Sequence, residues 1–298
     1  MRRDAVVLTV AFVLALLTPI QARADLSRNN ARKLIQTMGG WSLPGSAVRI
    51  QAFRSNGAEA AEVSAEIQAV FRLRLYEGRW ELREIRTGPD RWERLDVIAR
   101  AAGVELLRPE CDAPAQFTNI KSPSQLTNKR ARCLVAELLG VQLPSDEVRI
   151  REVSPFGLSL GAESSALVTA LVQVDFRFER DARGWRVAEF KSGTRDWVGV
   201  AGIPAAMDQL KRTAAADELS TIAKALGDFR RERGYFVVST SESVLIDHLS
   251  PKYLLRVIRV DPWHRPYHYE GHEDRYSLRS LGPDGKANTA DDIVVSGP

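Results

Sequence analysis

Residues 31–50 read ARKLIQTMGGWSLPGSAVRI, and residues 131–150 read ARCLVAELLGVQLPSDEVRI. Nine of the twenty positions are identical, without a gap, at an offset of 100. Upstream, Leu26-Ser27 matches Leu126-Thr127; downstream the match resumes at an offset of 105, with Trp80 on Trp185, Glu84 on Glu189, Gly88 on Gly193 and Trp92 on Trp197. The five extra residues of the second copy precede its long apolar-alternating stretch, in a turn that tolerates insertion. A repeat of this length marks a supersecondary unit used twice.

Each copy carries the same signals. Ser27 and Thr127 are placed to cap a helix by accepting from backbone N–H groups of its first turn. Ala31, Leu34, Ile35 and Met38 form one apolar stripe, repeated by Ala131, Leu134, Val135 and Leu138. Gly39-Gly40 and Gly140 stop the helix, since glycine enters the left-handed C-cap without a Cβ penalty. Period-two alternation follows. Val63, Ala65, Ile67, Ala69, Phe71, Leu73 and Leu75 share one face, as do Val168, Ala170, Val172, Val174, Phe176 and Phe178. This is the pattern of a long, half-buried antiparallel strand. Gly78 and the stretch 181–184 read as hairpin turns. The expected fold class is therefore α+β: two tandem repeats of a helix on a curved antiparallel sheet, similar in architecture to cystatin-like and NTF2-like folds, which imply no particular activity.

The ends of the chain read differently. Met1-Arg2-Arg3-Asp4, the apolar run 5–17 and Ala22-Arg23-Ala24 have the order of a secretory signal, with cleavage expected after Ala24. The run is shorter than the ~20 residues of a membrane-spanning helix, so no membrane insertion is expected after cleavage. Residues 25–298 hold 39 basic against 37 acidic side chains, scattered without a block of one sign. That balance argues against a nucleic-acid partner. The expected organisation is signal peptide 1–24, repeat one 25–103, a proline-containing linker 104–126, repeat two 127–205 and a C-terminal module 206–298, in a periplasmic or extracellular location.

In that last module Leu219, Ile222, Ala223, Leu226 and Phe229 recur at helical spacing up to Gly234. LSTIAKALGDFRRERGYF (219–236) and DPWHRPYHYEGHEDRYSLRSLGPDGKANTADDI (261–293) together resemble the head domain of the major pseudopilin of type II secretion systems, protein G. The resemblance implies a helix on a small antiparallel sheet, an Asp-Pro-Trp turn and a loop that binds one calcium ion. By matching positions it assigns ligand roles to Asp284 and Asp291, then Asp292, with the carbonyl of Leu281 turned inward and Asn288 at a bend where the family often has glycine. Calcium takes six to eight hard oxygen ligands, a demand these residue types suit. An Asx-rich turn closed by its own hydrogen bonds is the alternative reading of the same residues.

Three departures qualify the resemblance. His264 stands where the family has glycine, no proline follows Gly234-Tyr235, and the prepilin cleavage motif and long apolar stalk are missing. The expected role is an exported, non-enzymatic envelope protein with a protein partner in the cell envelope, linked to secretion or pilus-like machinery, rather than a filament subunit. His264, His268 and His272 suggest no metal site, because Pro262 and Pro266 forbid a continuous helix and four residues of strand span ~13 Å. The sequence contains no G-x-S-x-G, P-loop, H-E-x-x-H or G-x-G-x-x-G. The alternative is a small-ligand carrier or enzyme with its site in one repeat's curved sheet, near Trp80 and Trp92 or Trp185 and Trp197.

Cys111 and Cys133 are the only cysteines. In an oxidising compartment they are expected to bridge, closing a loop worth about 3 kcal/mol in the chain-entropy account. Non-reducing peptide mapping of the exported protein should recover a Cys111–Cys133 cross-linked pair, and reduction should lower Tm; two free thiols would refute the pairing.

Overall fold

A computed structural model describes residues 25–106, 125–156 and 164–298. The expected signal peptide, Cys111 and most of the expected linker lie outside these residues. The first copy runs α1 (Arg28–Thr37), β1 (Val48–Ser55), β2 (Ala60–Tyr76), β3 (Arg79–Arg86), β4 (Trp92–Arg94) and α2 (Leu95–Ala101). The second runs α3 (Asn128–Leu139), β5 (Val148–Phe156), β6 (Ser165–Asp181), β7 (Gly184–Lys191), β8 (Val198–Gly199) and the long α4 (Ile203–Arg233). The helix starts follow their caps: Ser27 Oγ accepts from Asn30 N–H and Thr127 Oγ1 from Arg130 N–H, each at 3.2 Å. At the end of α3, Gly140 takes φ 68°.

The two copies do not build separate sheets. β2 pairs antiparallel with β6 from Ala60↔Glu179 to Arg74↔Ser165. On its other edge β2 carries β1 and then β3; β6 likewise carries β5 and then β7. The result is one eight-stranded antiparallel sheet. In this register Ile67 lies opposite Val172, the residue that the offset of 105 makes its own equivalent. A pseudo-twofold axis therefore passes through that pair. Even the irregularities are duplicated. Register shifts fall between Ile50 and Ala52 and between Ile150 and Glu152, and again between Arg72 and Leu73 and between Arg177 and Phe178. Such bulges bend a strand and raise its twist, which curls the sheet around the two helices.

The inward faces are those of the alternation. Val63, Ala65, Phe71, Leu73, Val168, Ala170, Phe176 and Phe178 are buried, and α1 and α3 add Ala31, Ile35, Ala131, Leu134 and Val135 to the same core. Burying each large apolar side chain stabilises by roughly 1.5–3 kcal/mol. Cys133 is half-buried against this core. Its counterpart Lys33 is exposed.

The third module has its own core, centred on Leu219, Ile222, Leu226 and Phe229 of α4, with Phe236, Leu245, Leu249, Tyr269 and Leu278. Its sheet has the order β11 (Ile293–Gly297), β10 (Tyr276–Ser280), β9 (His268–Gly271). A helix that the sequence reading did not anticipate, α5 (Glu242–Leu249), packs beside α4 and β9. The other unanticipated helix is α2. With the offset of 105, α2 corresponds to the start of α4, and these two equivalents pack together. α4 starts before the expected boundary at 206 and crosses it without interruption. At 31 residues it is about 46 Å long, beginning in the second copy and ending in the third module.

The junction is fixed by a buried ion pair. Lys211 Nζ of α4 lies 2.5 Å from Glu93 Oε2 of β4, with side chains 4% and 1% exposed. Arg91 Nε donates to the other oxygen of Glu93 at 2.8 Å. Removing Lys211 leaves the buried Glu93 carboxylate with only the half-exposed Arg91 to balance it. Lys211→Met is expected to cost about 3 kcal/mol in urea-induced unfolding. Adding Glu93→Gln to it should recover most of that loss. An unchanged midpoint for the single variant would show that the pair carries no strain of desolvation.

Candidate functional site

The Asp-Pro-Trp turn and the acidic loop are built as one piece. Asp261 is 2% exposed, yet every polar atom of its side chain is engaged. Its Oδ1 accepts from the N–H groups of Trp263 and Arg265, both at 2.9 Å, and its Oδ2 accepts from Ser280 Oγ at 2.7 Å. Ser280 Oγ in turn accepts from Gly282 N–H at 3.3 Å, so a single carboxylate ties the turn to the start of the loop. His264, in the glycine position of the related turn, takes φ 65°. Trp263 Nε1 donates to Asp208 at 3.4 Å and Tyr267 Oη to Glu218 at 2.6 Å, anchoring the turn on α4. Burial, with the Glu218 hydrogen bond, pushes the Tyr267 phenol far up, so it remains a donor. His264 Nε2 also reaches Glu84 of β3 at 3.5 Å, a contact between the module and the first copy.

The loop 281–292 is held mainly by its own side chains. The Leu281 carbonyl accepts from Gly285 N–H at 3.2 Å. Asp284 Oδ1 accepts from Lys286 N–H at 2.7 Å, and Asp291 Oδ2 accepts from Asp284 N–H at 3.0 Å. The Thr289 hydroxyl lies against both acids, 3.4 Å from Asp284 Oδ1 and 2.5 Å from Asp291 Oδ1. Asp284 and Asp291 are thus brought together. Asp292 is engaged elsewhere: its Oδ2 accepts from Asn288 N–H at 2.8 Å and lies 3.4 Å from Arg279. Its Oδ1 is buried with no hydrogen-bond partner. Asn288 takes φ 65°, and its side-chain oxygen accepts from Arg279 at 2.8 Å. Asparagine is one of the few side chains that enter this region readily. Gly282 has no substitute: at φ 59°, a Cβ there would lie 2.3 Å from the Asp291 carbonyl oxygen.

The sequence reading missed the basic frame around this loop. Arg265 donates to the carbonyls of Gly282 and Pro283, and Arg212 of α4 donates to the Asp291 carbonyl at 3.2 Å. Neither arginine stands at a spacing that marks it as a loop partner. Among the described residues, no group of three or more His, Cys, Asp or Glu is arranged to hold a metal ion. His264 faces Glu84 and His272 faces Glu270.

The tryptophans named in the alternative reading are packed or covered by cationic side chains. Trp80 is buried in the core. Trp92 is stacked by Arg72 and Arg86, Trp197 by Arg177 and Lys191, and Trp185 has Arg180 5.8 Å from its centroid.

Residues 203–296 match the family described as type II secretion system protein G. No curated protein and no solved structure gives a match to the chain. The matched segment begins with α4 and ends within β11, so it contains the turn, the loop and the whole small sheet.

The Asp291 carboxyl is held below its ordinary range by the Thr289 hydroxyl, the Asp284 N–H and the field of Arg212. A depressed folded-state pKa contributes stability that is present above the unfolded value and lost as pH falls through the folded one. Asp291→Asn should therefore lower Tm at pH 7, with the gap to the unsubstituted protein closing below about pH 4. A gap that is the same at pH 7 and pH 3 would rule out the ionised carboxylate as its source.

Proposed function

We propose that this protein is an exported component of the cell envelope, without catalytic activity, whose C-terminal module is a contact unit for type II secretion or pilus-like machinery. The observation that carries the reading is the match of residues 203–296 to secretion protein G, with the turn and loop folded as one hydrogen-bonded unit. Among the described residues, no helix is long and apolar enough to cross a membrane. The duplicated sheet then stands where a pseudopilin has its stalk and offers a broad carrier for the module. A photo-crosslinking residue placed at exposed Lys286 should capture a secretion-system component in envelope preparations. Capture of no such component, from this position or from its exposed neighbour Ala287, would remove the reading.

Calcium is the ion proposed for the loop. Asp284 and Asp291 already flank one hydroxyl, Asp292 holds a buried oxygen without a partner, and the Leu281 carbonyl and the Asn288 side chain lie in the same loop. Exchange of the shared Thr289 contact for a cation would let the two acids converge on it, with water completing six or more oxygens. The ion's chemistry here is structural: it holds loop carboxylates together. Calcium at about 100 times its Kd would add about 2.7 kcal/mol, raising Tm by roughly 5 °C or more. Chelation should reverse the gain, magnesium should not reproduce it, and Asp284→Asn should abolish it. A Tm indifferent to calcium and to chelator would eliminate the ion.

A further inference from the structure

A cavity of about 220 Å³ lies on the pseudo-twofold axis, between the concave face of the shared sheet and the helices. Its walls come in equivalent pairs, among them Ile67 with Val172, Phe71 with Phe176 and Met38 with Leu138. The start of α4 and one face of α2 close another side through Ile203 and Ile98. Neither copy could form this space alone. Its lining is apolar except at one rim, where Lys191, Ser192, Arg195 and Asp196 stand. Two of these are committed to the end of α3: Ser192 Oγ donates to the Leu139 carbonyl, and Arg195 donates to those of Leu138 and Glu137. Lys191 keeps its ammonium near the Trp197 ring, 5.1 Å from the centroid, and makes no ion pair among the described residues.

The cavity is partly open, and its apolar walls lack dispersion contacts from other described residues. Water does not compensate, since an apolar wall gives it no hydrogen-bond partners. The same features suit a ligand that is apolar along its length. We propose that the cavity is a binding site for one acyl chain, entering chain-first, with its polar head at the Lys191 rim. A free fatty acid and the acyl chain of a lipid share this chemistry. The volume, below the 300–1,000 Å³ common for drug-sized ligands, fits a single chain rather than a bulky ring system. This inference is independent of the secretion reading, since it concerns the duplicated sheet and not the matched module.

The test uses the purified protein, with displacement of the fluorescent fatty-acid analogue 11-(dansylamino)undecanoate. One equivalent should bind and be displaced both by dodecanoate and by lauroyl-lysophosphatidylcholine; displacement by only one of them names the source. Two filling variants guard against misfolding. Ala69→Phe projects into the cavity from β2, and Ala102→Trp closes it from the end of α2. Both should weaken the probe at least tenfold while keeping the circular dichroism of the unsubstituted protein. Lys191→Met should weaken dodecanoate several-fold and leave dodecanol unchanged. Failure of the probe and of both competitors to bind would overturn the proposal, as would unaltered binding in folded Ala69→Phe and Ala102→Trp.

Discussion

The antiparallel pairing of β2 with β6 is the constraint on which the rest of the molecule depends. These are the longest strands, each of 17 residues, and they join the two copies along most of their length. β1, β3, β5 and β7 each pair with one of them, and β4 and β8 follow at the edges through β3 and β7. A slip of one residue would turn Glu62, Glu66 and Arg72 into the core and Val63, Ile67 and Phe71 out of it, because side chains alternate with period two. The register is thus specified by burial on both strands at once. A cross-strand ion pair and a hydrogen bond reinforce it on the outer face, where Arg177 reaches Glu62 at 3.1 Å and Ser64 donates to Asp175 at 2.5 Å. Exposed pairs add little energy individually, but they disfavour the slipped alternatives.

The twofold arrangement also explains how a third module is attached without a flexible hinge. In the first copy, the segment after β4 ends as α2, one short helix. In the second, the equivalent segment continues for 31 residues as α4. The start of α4 packs on α2 across the axis, and Lys211 locks it to Glu93, so the matched module inherits its orientation from the sheet. The contact of His264 with Glu84 adds a second tie near the turn. An uninterrupted helix with contacts on both sides transmits position more faithfully than a linker of glycine or serine would.

Much of this was legible in the residues. The caps at Ser27 and Thr127, the alternation of Val63 through Leu73 and the helical spacing of Leu219 through Phe229 each follow from a local rule. The union of the copies was not legible. Pairing between β2 and β6 leaves no spacing in the sequence, because its register depends on two strands more than 100 residues apart. The helix α5 was hidden because Glu242–Leu249 is short and lies among turn signals. In the loop, carboxylates and glycines could be read from their order, whereas Arg265 and Arg212 reach it from other elements. Asn288 and His264 illustrate the middle case. Both hold positive φ at places where glycine is the expected residue, and both belong to the few side chains enriched there.

A repeated topology with two unequal halves is what gives the axis a usable interior. Two identical halves packed about a twofold would place the same atoms on both sides of every wall. Here the halves differ where it matters. Met38 corresponds to Leu138, Ala69 to Val174 and Ile85 to Phe190, all of them lining the cavity. At the rim, Asp196 stands where the first copy has Arg91, whose guanidinium is taken up by Glu93 and the Gly40 carbonyl. In both copies an arginine meets carbonyls near the end of the first helix: Arg195 those of Leu138 and Glu137 in the last turn of α3, a placement that the helix dipole favours, and Arg91 that of Gly40, three residues past α1. The residues come from different repeat positions, so this shared requirement is met asymmetrically. One end of the cavity is left polar and the other apolar, and that polarity is what a molecule with a head and a tail could use to select its direction.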